Sequence, residues 1–137
     1  MGGIKIVINV NVWVSMVISN KVSDIFAIII HNDIQVFACN ELKLELYDVF
    51  YREKHFKKFH SRVDVFLEQF QNLTEFLSIK HHRKINDCRD TNYNYLFDLV
   101  IQSQADYLVS GDDDVLDVKI NPPPQIISFT EFREIFL

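Results

Sequence analysis

The sequence predicts an α/β fold, a three-layer α/β/α sandwich around a central, mostly parallel sheet of five strands. Three observations point there. Short apolar or β-branched runs alternate with longer segments of helical spacing along the whole chain. The first run, IKIVI at residues 4–8, is β-branched except for Lys5, the pattern of a strand buried on both faces. The first and fourth runs each end in polar residues, Asn9 in one case and SGDDD in the other, and open parallel sheets bind ligands beyond the carboxyl ends of their strands. Asn9 and Asp112 are therefore expected to lie close together.

Each element has its own justification. Residues 4–8 are the first strand, ending near Asn9. Residues 12–19 are too densely apolar for a single stripe, so this helix is buried or packed on two sides, and DIFAIIIHN continues as a second short helix. IQVFAC at 34–39 is the second strand, with Asn40 placed to cap the next helix. NELKLELYDVFYREKHF sets Leu42, Leu46, Val49 and Phe50 at i, i+4, i+7 and i+8, an amphipathic helix. HSRVDVFLEQFQNLTEFL repeats the pattern with Val63, Phe66, Leu67 and Phe70, and the short LSIK after it is the third strand. NYNYLFDLVIQSQ is a helix feeding DYLVSGDDD, whose core of Tyr107 to Val109 is a strand ending at Ser110. The prolines of NPPPQIISF prevent a helix, residues 126–129 form the last strand, and Thr130 is the N-cap of TEFREIFL. No internal repeat or linker divides the chain, so residues 1–137 read as one domain.

Composition bounds the rest. With 137 residues, 48% of them hydrophobic, and three Gly, one domain can bury a sizeable core. A formal charge of −5 disfavours a protein that coats nucleic acid over its whole surface, while leaving room for a local basic patch. Two such patches stand out, REKHFKKFHSR at 52–62, containing Lys54 and Lys57, and KHHRK at 80–84. They suit RNA phosphates or an acidic partner, and a solvated helix face and loop account for them as well. Adjacent His81 and His82 diverge on regular structure, so zinc is not expected. Cys39 and Cys88 are too few for a disulfide framework and read as reduced, packed thiols. No signal-peptide pattern opens the chain and no apolar run approaches the roughly 20 residues of a membrane helix, which leads to a cytoplasmic expectation.

VINVNVWVSMVIS resembles the opening strand of PIN-domain nucleases, where the family has aspartate-threonine-asparagine-valine. ADYLVSGDDDVLDV resembles their glycine-aspartate strand end, and INDCRDTNYNYLFDLV the stretch before it. CNELKLELYDVFYREKHFKK is similar to the helix bearing the family's glutamate, most closely in the branch of toxin components of toxin-antitoxin systems. The motifs keep the family's order over nearly the whole chain, and ADYLVSGDDDVL is the most specific.

The resemblance implies a ribonuclease in which four carboxylates hold one or two Mg2+ or Mn2+ ions. Hard divalent cations take oxygen ligands, polarise the phosphate and lower the pKa of the attacking water. Carried over by position, Glu45 and Asp112 match two of the acids, while Asn9 and Tyr93 stand where aspartates are expected. Asn9 keeps the shape and one oxygen of aspartate without its charge. Asp90 and Asp114, with Asp113 between Asp112 and Asp114, are substitutes within reach in sequence.

The implied catalytic set is Glu45, Asp112 and Asp90, and the metal set Glu45, Asp112, Asn9 and Asp114. The substrate-side set is Asn11, Ser110, Lys54 and Lys57, with Asn11 also a good N-cap. The implied partners are RNA, an antitoxin protein and a second copy of the chain. A catalytically degenerate PIN domain that binds RNA or protein is the alternative. Taken one at a time, Glu45 reads as a surface charge and GDDD as a solvated turn.

Overall fold

A computed structural model describes residues 3–79, 94–111 and 125–136. Its elements run β1 (Lys5–Ile8), α1 (Val10–Ile18), α2 (Val22–His31), β2 (Gln35–Ala38), α3 (Asn40–Phe50), α4 (Glu53–Leu73), β3 (Thr74–Phe76), α5 (Asn94–Ser103), β4 (Tyr107–Val109), β5 (Gln125–Ile127) and α6 (Phe129–Phe136). The five strands form one sheet in the order β3-β2-β1-β4-β5, and every pairing is parallel. This is the α/β architecture the alternating pattern predicts.

β1 takes the centre because Ile6, Val7 and Ile8 all need burial, and successive strand residues point to opposite faces. All three are fully buried. Both ends of its pairing with β4 are fixed. At the amino end the Lys5 N–H donates to the Asp106 carboxylate at 2.9 Å, and the Asp106 N–H donates to the Lys5 carbonyl at 2.7 Å. At the carboxyl end Ile8 stands opposite Val109. The chain builds outward from β1 through β2 to β3, then resumes on the other side of β1 with β4 and β5. The gap between β1 and β4 is thus the place where strand order reverses, where such sheets open a crevice.

The helices meet around the single tryptophan. Trp13 of α1 packs against Phe26 of α2 and against Phe66 and Phe70 of α4, with ring centroids 5.4 to 5.6 Å apart, and Phe50 of α3 reaches Phe66 at 5.6 Å. The crowding predicted for residues 12–19 comes from this two-sided packing. No described helix is long and apolar enough to cross a membrane.

Several boundaries differ from the sequence pattern. The third strand is Thr74–Phe76, earlier than LSIK, because the Thr74 hydroxyl donates to the Phe70 carbonyl and closes α4 at Leu73, and β2 recruits the next residues. Residues 40–56 divide between α3 and α4 after Phe50, and α4 itself kinks at Phe59, whose φ and ψ are −125° and 17°. Cys39, not Asn40, precedes α3, without a side-chain cap. The cap of α6 is Ser128 and not Thr130: the Glu131 N–H donates to Ser128 Oγ at 3.2 Å and the Ser128 N–H to Glu131 Oε1 at 3.0 Å, a reciprocal capping box. β5 accordingly stops at Ile127. Cys88 and the KHHRK patch lie outside the described residues.

Phe66 is 1% exposed and touches rings from α1, α2, α3 and α4, so Phe66→Ala is expected to lose about 3–5 kcal/mol. Urea unfolding followed by Trp13 fluorescence measures it. A loss under about 1 kcal/mol would contradict this packing.

Candidate functional site at the carboxyl edge of the sheet

The ladders that join β4 to β1 and to β5 each carry on one residue past the strands. The Asn9 N–H donates to the Val109 carbonyl and the Ser110 N–H to the Ile127 carbonyl, both at 2.9 Å. Two residues 101 positions apart in sequence are thereby set side by side, and Asn9 Nδ2 donates to Ser110 Oγ at 3.0 Å. Both are wholly buried.

Asn9 occupies the N-cap position of α1, but only through its backbone. Its carbonyl accepts from the Val12 and Trp13 N–H groups at 3.0 and 3.3 Å, while its side chain makes no cap hydrogen bond. The amide is committed to Ser110, and Asn9 Oδ1 is buried without a hydrogen-bond partner among the described residues. Exchanging the two ends of the amide would let Ser110 donate to the oxygen and leave the nitrogen unpaired, so half of this group is unsatisfied in either orientation. A buried acceptor of that kind costs about 1–3 kcal/mol. Asn11, which also reads as a cap, is instead the second residue of α1 and exposed.

Glu45 sits in the middle of α3, half-buried. Tyr95 Oη, from the first turn of α5, donates to Glu45 Oε1 at 2.7 Å, a short bond as expected for a charged acceptor. Sequence reasoning missed Tyr95, because a tyrosine in NYNYLF reads as packing. It also passed over Glu41, one turn before Glu45 on α3, and Asp98, the one buried carboxylate among the described residues. An acid inside the apolar run YLFDLVI was the available signal for Asp98.

Asp112, Asp113, Asp114, Asp90 and Tyr93 lie outside the described residues. Gly111, directly before Asp112, is the last described residue of that segment. Lys54 is in the first turn of α4, and Lys57 is exposed on the same helix. Farther along α4, an Arg62 guanidinium N–H donates to the Ile18 carbonyl at 3.1 Å, at the end of α1 opposite Asn9. Nine residues of α1, about 13 Å, separate that anchor from the paired strand ends.

Among the described residues no three His, Cys, Asp or Glu side chains converge as a metal site. By themselves, a neutral amide with one spare oxygen and a carboxylate already accepting from a phenol do not make the several anionic oxygens a divalent cation calls for. Beside this edge, Cys39 is a free, buried thiol. Desolvation, reinforced by the charge of Glu41 and opposed by backbone N–H groups of Leu42 and Glu41, pushes its pKa from 9.0 up to about 12.

A parallel sheet with its order reversing between β1 and β4, and polar side chains gathered at the carboxyl ends of those strands, defines an α/β domain built to present a ligand site at that edge. The family model for the PIN domain matches residues 5–114, from β1 through the GDDD sequence, and the chain belongs to the PIN domain family. That family is of nuclease type, and its members use divalent metal ions. No curated protein and no solved structure matches the chain.

Tyr95→Phe is expected to lower stability by about 1–2 kcal/mol in urea unfolding, since Glu45 loses its donor across the α3 and α5 contact. An unchanged midpoint would show the bond to be dispensable. Cys39 gives a pH test. Its folded pKa lies above the ordinary value, so its contribution is complete below pH 9 and declines as pH rises toward 12, where the unfolded chain ionises first. Wild-type stability should therefore fall more steeply than that of Cys39→Ala between pH 8.5 and 10.5; parallel curves would refute the assignment.

Proposed function

We propose that this PIN domain binds RNA at the carboxyl edge of its sheet with little or no hydrolysis, as a relative of the metal-dependent ribonuclease toxins of toxin-antitoxin systems. One observation carries the reading. Asn9, where the resemblance calls for an aspartate, is wholly buried and hydrogen bonded to Ser110, so the site's central position is neutral.

The electrostatic consequence favours binding without catalysis. Four carboxylates without metal would repel an RNA phosphate, and replacing two of them with Asn9 and Tyr93 removes half of that charge. Tyr95 further holds Glu45 by a hydrogen bond that needs no cation. Lys57 and Lys58 are exposed on α4 and supply attraction for a phosphate backbone through counterion release, whereas Arg52 pairs with Asp48 and Arg62 is anchored on the Ile18 carbonyl.

A second reading is favoured by the spare oxygen of Asn9. Under it the chain is a ribonuclease toxin that relies on Glu45 and Asp112, with Asp90 or Asp114 in place of the missing acids. An antitoxin protein and a homodimer come with that reading.

Manganese calorimetry run beside fluorescence binding and cleavage of a labelled single-stranded RNA separates the two. The first reading expects RNA binding that weakens as salt rises, no manganese heat at millimolar metal, and no cleavage. It also expects manganese binding to appear in the Asn9→Asp, Tyr93→Asp double variant. Manganese-dependent cleavage by the unaltered chain, lost in Asp112→Asn, would establish the second. Absence of RNA binding at low salt would overturn the first.

A further inference from the structure

A groove of about 410 Å3 runs between α1 and the start of α6, lined by Asn11, Val12, Ser15, Met16, Gly111 and Phe129. We propose that it is a nucleobase site, which takes one unpaired base of a single-stranded RNA whose backbone lies at the carboxyl edge; the proposal rests on the RNA-binding reading above.

Position is the first support. Gly111 comes directly after Ser110, and Asn11 is two residues beyond Asn9, so the groove opens beside the buried Asn9 and Ser110 pair. A base entering it would belong to a nucleotide already at the strand ends.

The lining is the second support. Val12 and Met16 are buried and form an apolar floor, and Phe129 presents a half-buried ring at one wall. Asn11 and Ser15 are exposed one turn apart on α1, which puts an amide and a hydroxyl on the same rim. An apolar wall with an aromatic ring suits the face of a base, and an amide with a hydroxyl suits its hydrogen-bonding edge. The volume lies within the range of about 300–1,000 Å3 usual for small-ligand pockets.

Preorganisation is the third support. The capping box of Ser128 and Glu131 fixes the first turn of α6, and Phe129 rests against Phe132 with ring centroids 6.2 Å apart, so its ring is held before any ligand arrives. At Gly111 the wall is bare backbone. A Cβ built there meets no atom of the described residues within 4 Å, which leaves open space where the base would enter.

The test compares two labelled oligoribonucleotides of equal length and charge, one with a base at every position and one with abasic ribose throughout, by fluorescence anisotropy. The wild-type protein is expected to prefer the base-bearing strand by about tenfold, a stacking-sized effect. Gly111→Val introduces a side chain into open space and should abolish the preference while leaving the salt dependence of binding intact. Asn11→Ala, a change at an exposed position, should reduce it a few-fold. Equal wild-type affinity for the two strands, or a preference unchanged in Gly111→Val, would overturn the base site while the RNA reading stands. Failure to bind either strand at low salt would overturn both.

Discussion

The pairing of β1 with β4 is the constraint on which the site depends. Nothing in the local sequence brings Asn9 to Ser110; the register that sets Ile8 opposite Val109 does. A slip of one residue would exchange the faces of Ile6, Val7 and Ile8 and move Asn9 out of line with Ser110, and a slip of two would carry Asn9 about 6.6 Å along the sheet, beyond reach of Ser110. The complete burial of those three residues on a two-sided strand therefore specifies the polar edge as firmly as it specifies the core. Asp106 reinforces the same register from the opposite end by accepting from the Lys5 N–H.

Within that rigid frame, the polar groups at the edge are under-satisfied in an informative way. Asn9 has the burial of a core residue and, among the described residues, only one of its two polar side-chain atoms hydrogen bonded. An apolar residue of similar size would avoid that penalty, so packing alone does not account for an amide here. Aspartate would be worse still without a cation, because a buried charge is far more expensive than a buried amide. Asparagine is thus a residue that keeps the shape and polarity of the family's position where the described residues supply no strong counter-charge. Tyr95 fits the same logic, since a neutral donor steadies Glu45 without needing a metal.

The sequence pattern was reliable where one force dominated. β1, β4 and α5 arise from apolar runs with unambiguous turn or polar ends, and the structure places them within a residue or two of the expected limits. It failed where two patterns overlapped. Phe70, Leu73 and Leu77 continue a helical spacing through Thr74, so only pairing with β2 shows that the chain has already become a strand. Thr130 and Ser128 are both good caps, and the glutamate three residues after Ser128 decides between them. Asn9 and Glu45 are singled out by position in a family pattern, and Tyr95 is not, because its bond to Glu45 exists only when α5 is packed on α3.

The altered edge also bears on how such a domain can change its activity without losing its fold. The register of β1 and β4 is set by backbone hydrogen bonds and apolar side chains, none of which involves the carboxylates of a metal centre. Charge at the edge can therefore be removed one residue at a time while the strand ends stay where they are. What changes is the ligand the edge prefers: fewer anionic oxygens weaken its hold on a divalent cation and, in the same step, lessen its repulsion of a bare phosphate. On the proposed reading, loss of the metal and tolerance of uncomplexed RNA are two results of one change in charge. An asparagine that still contacts Ser110 is the form in which that change leaves the scaffold intact.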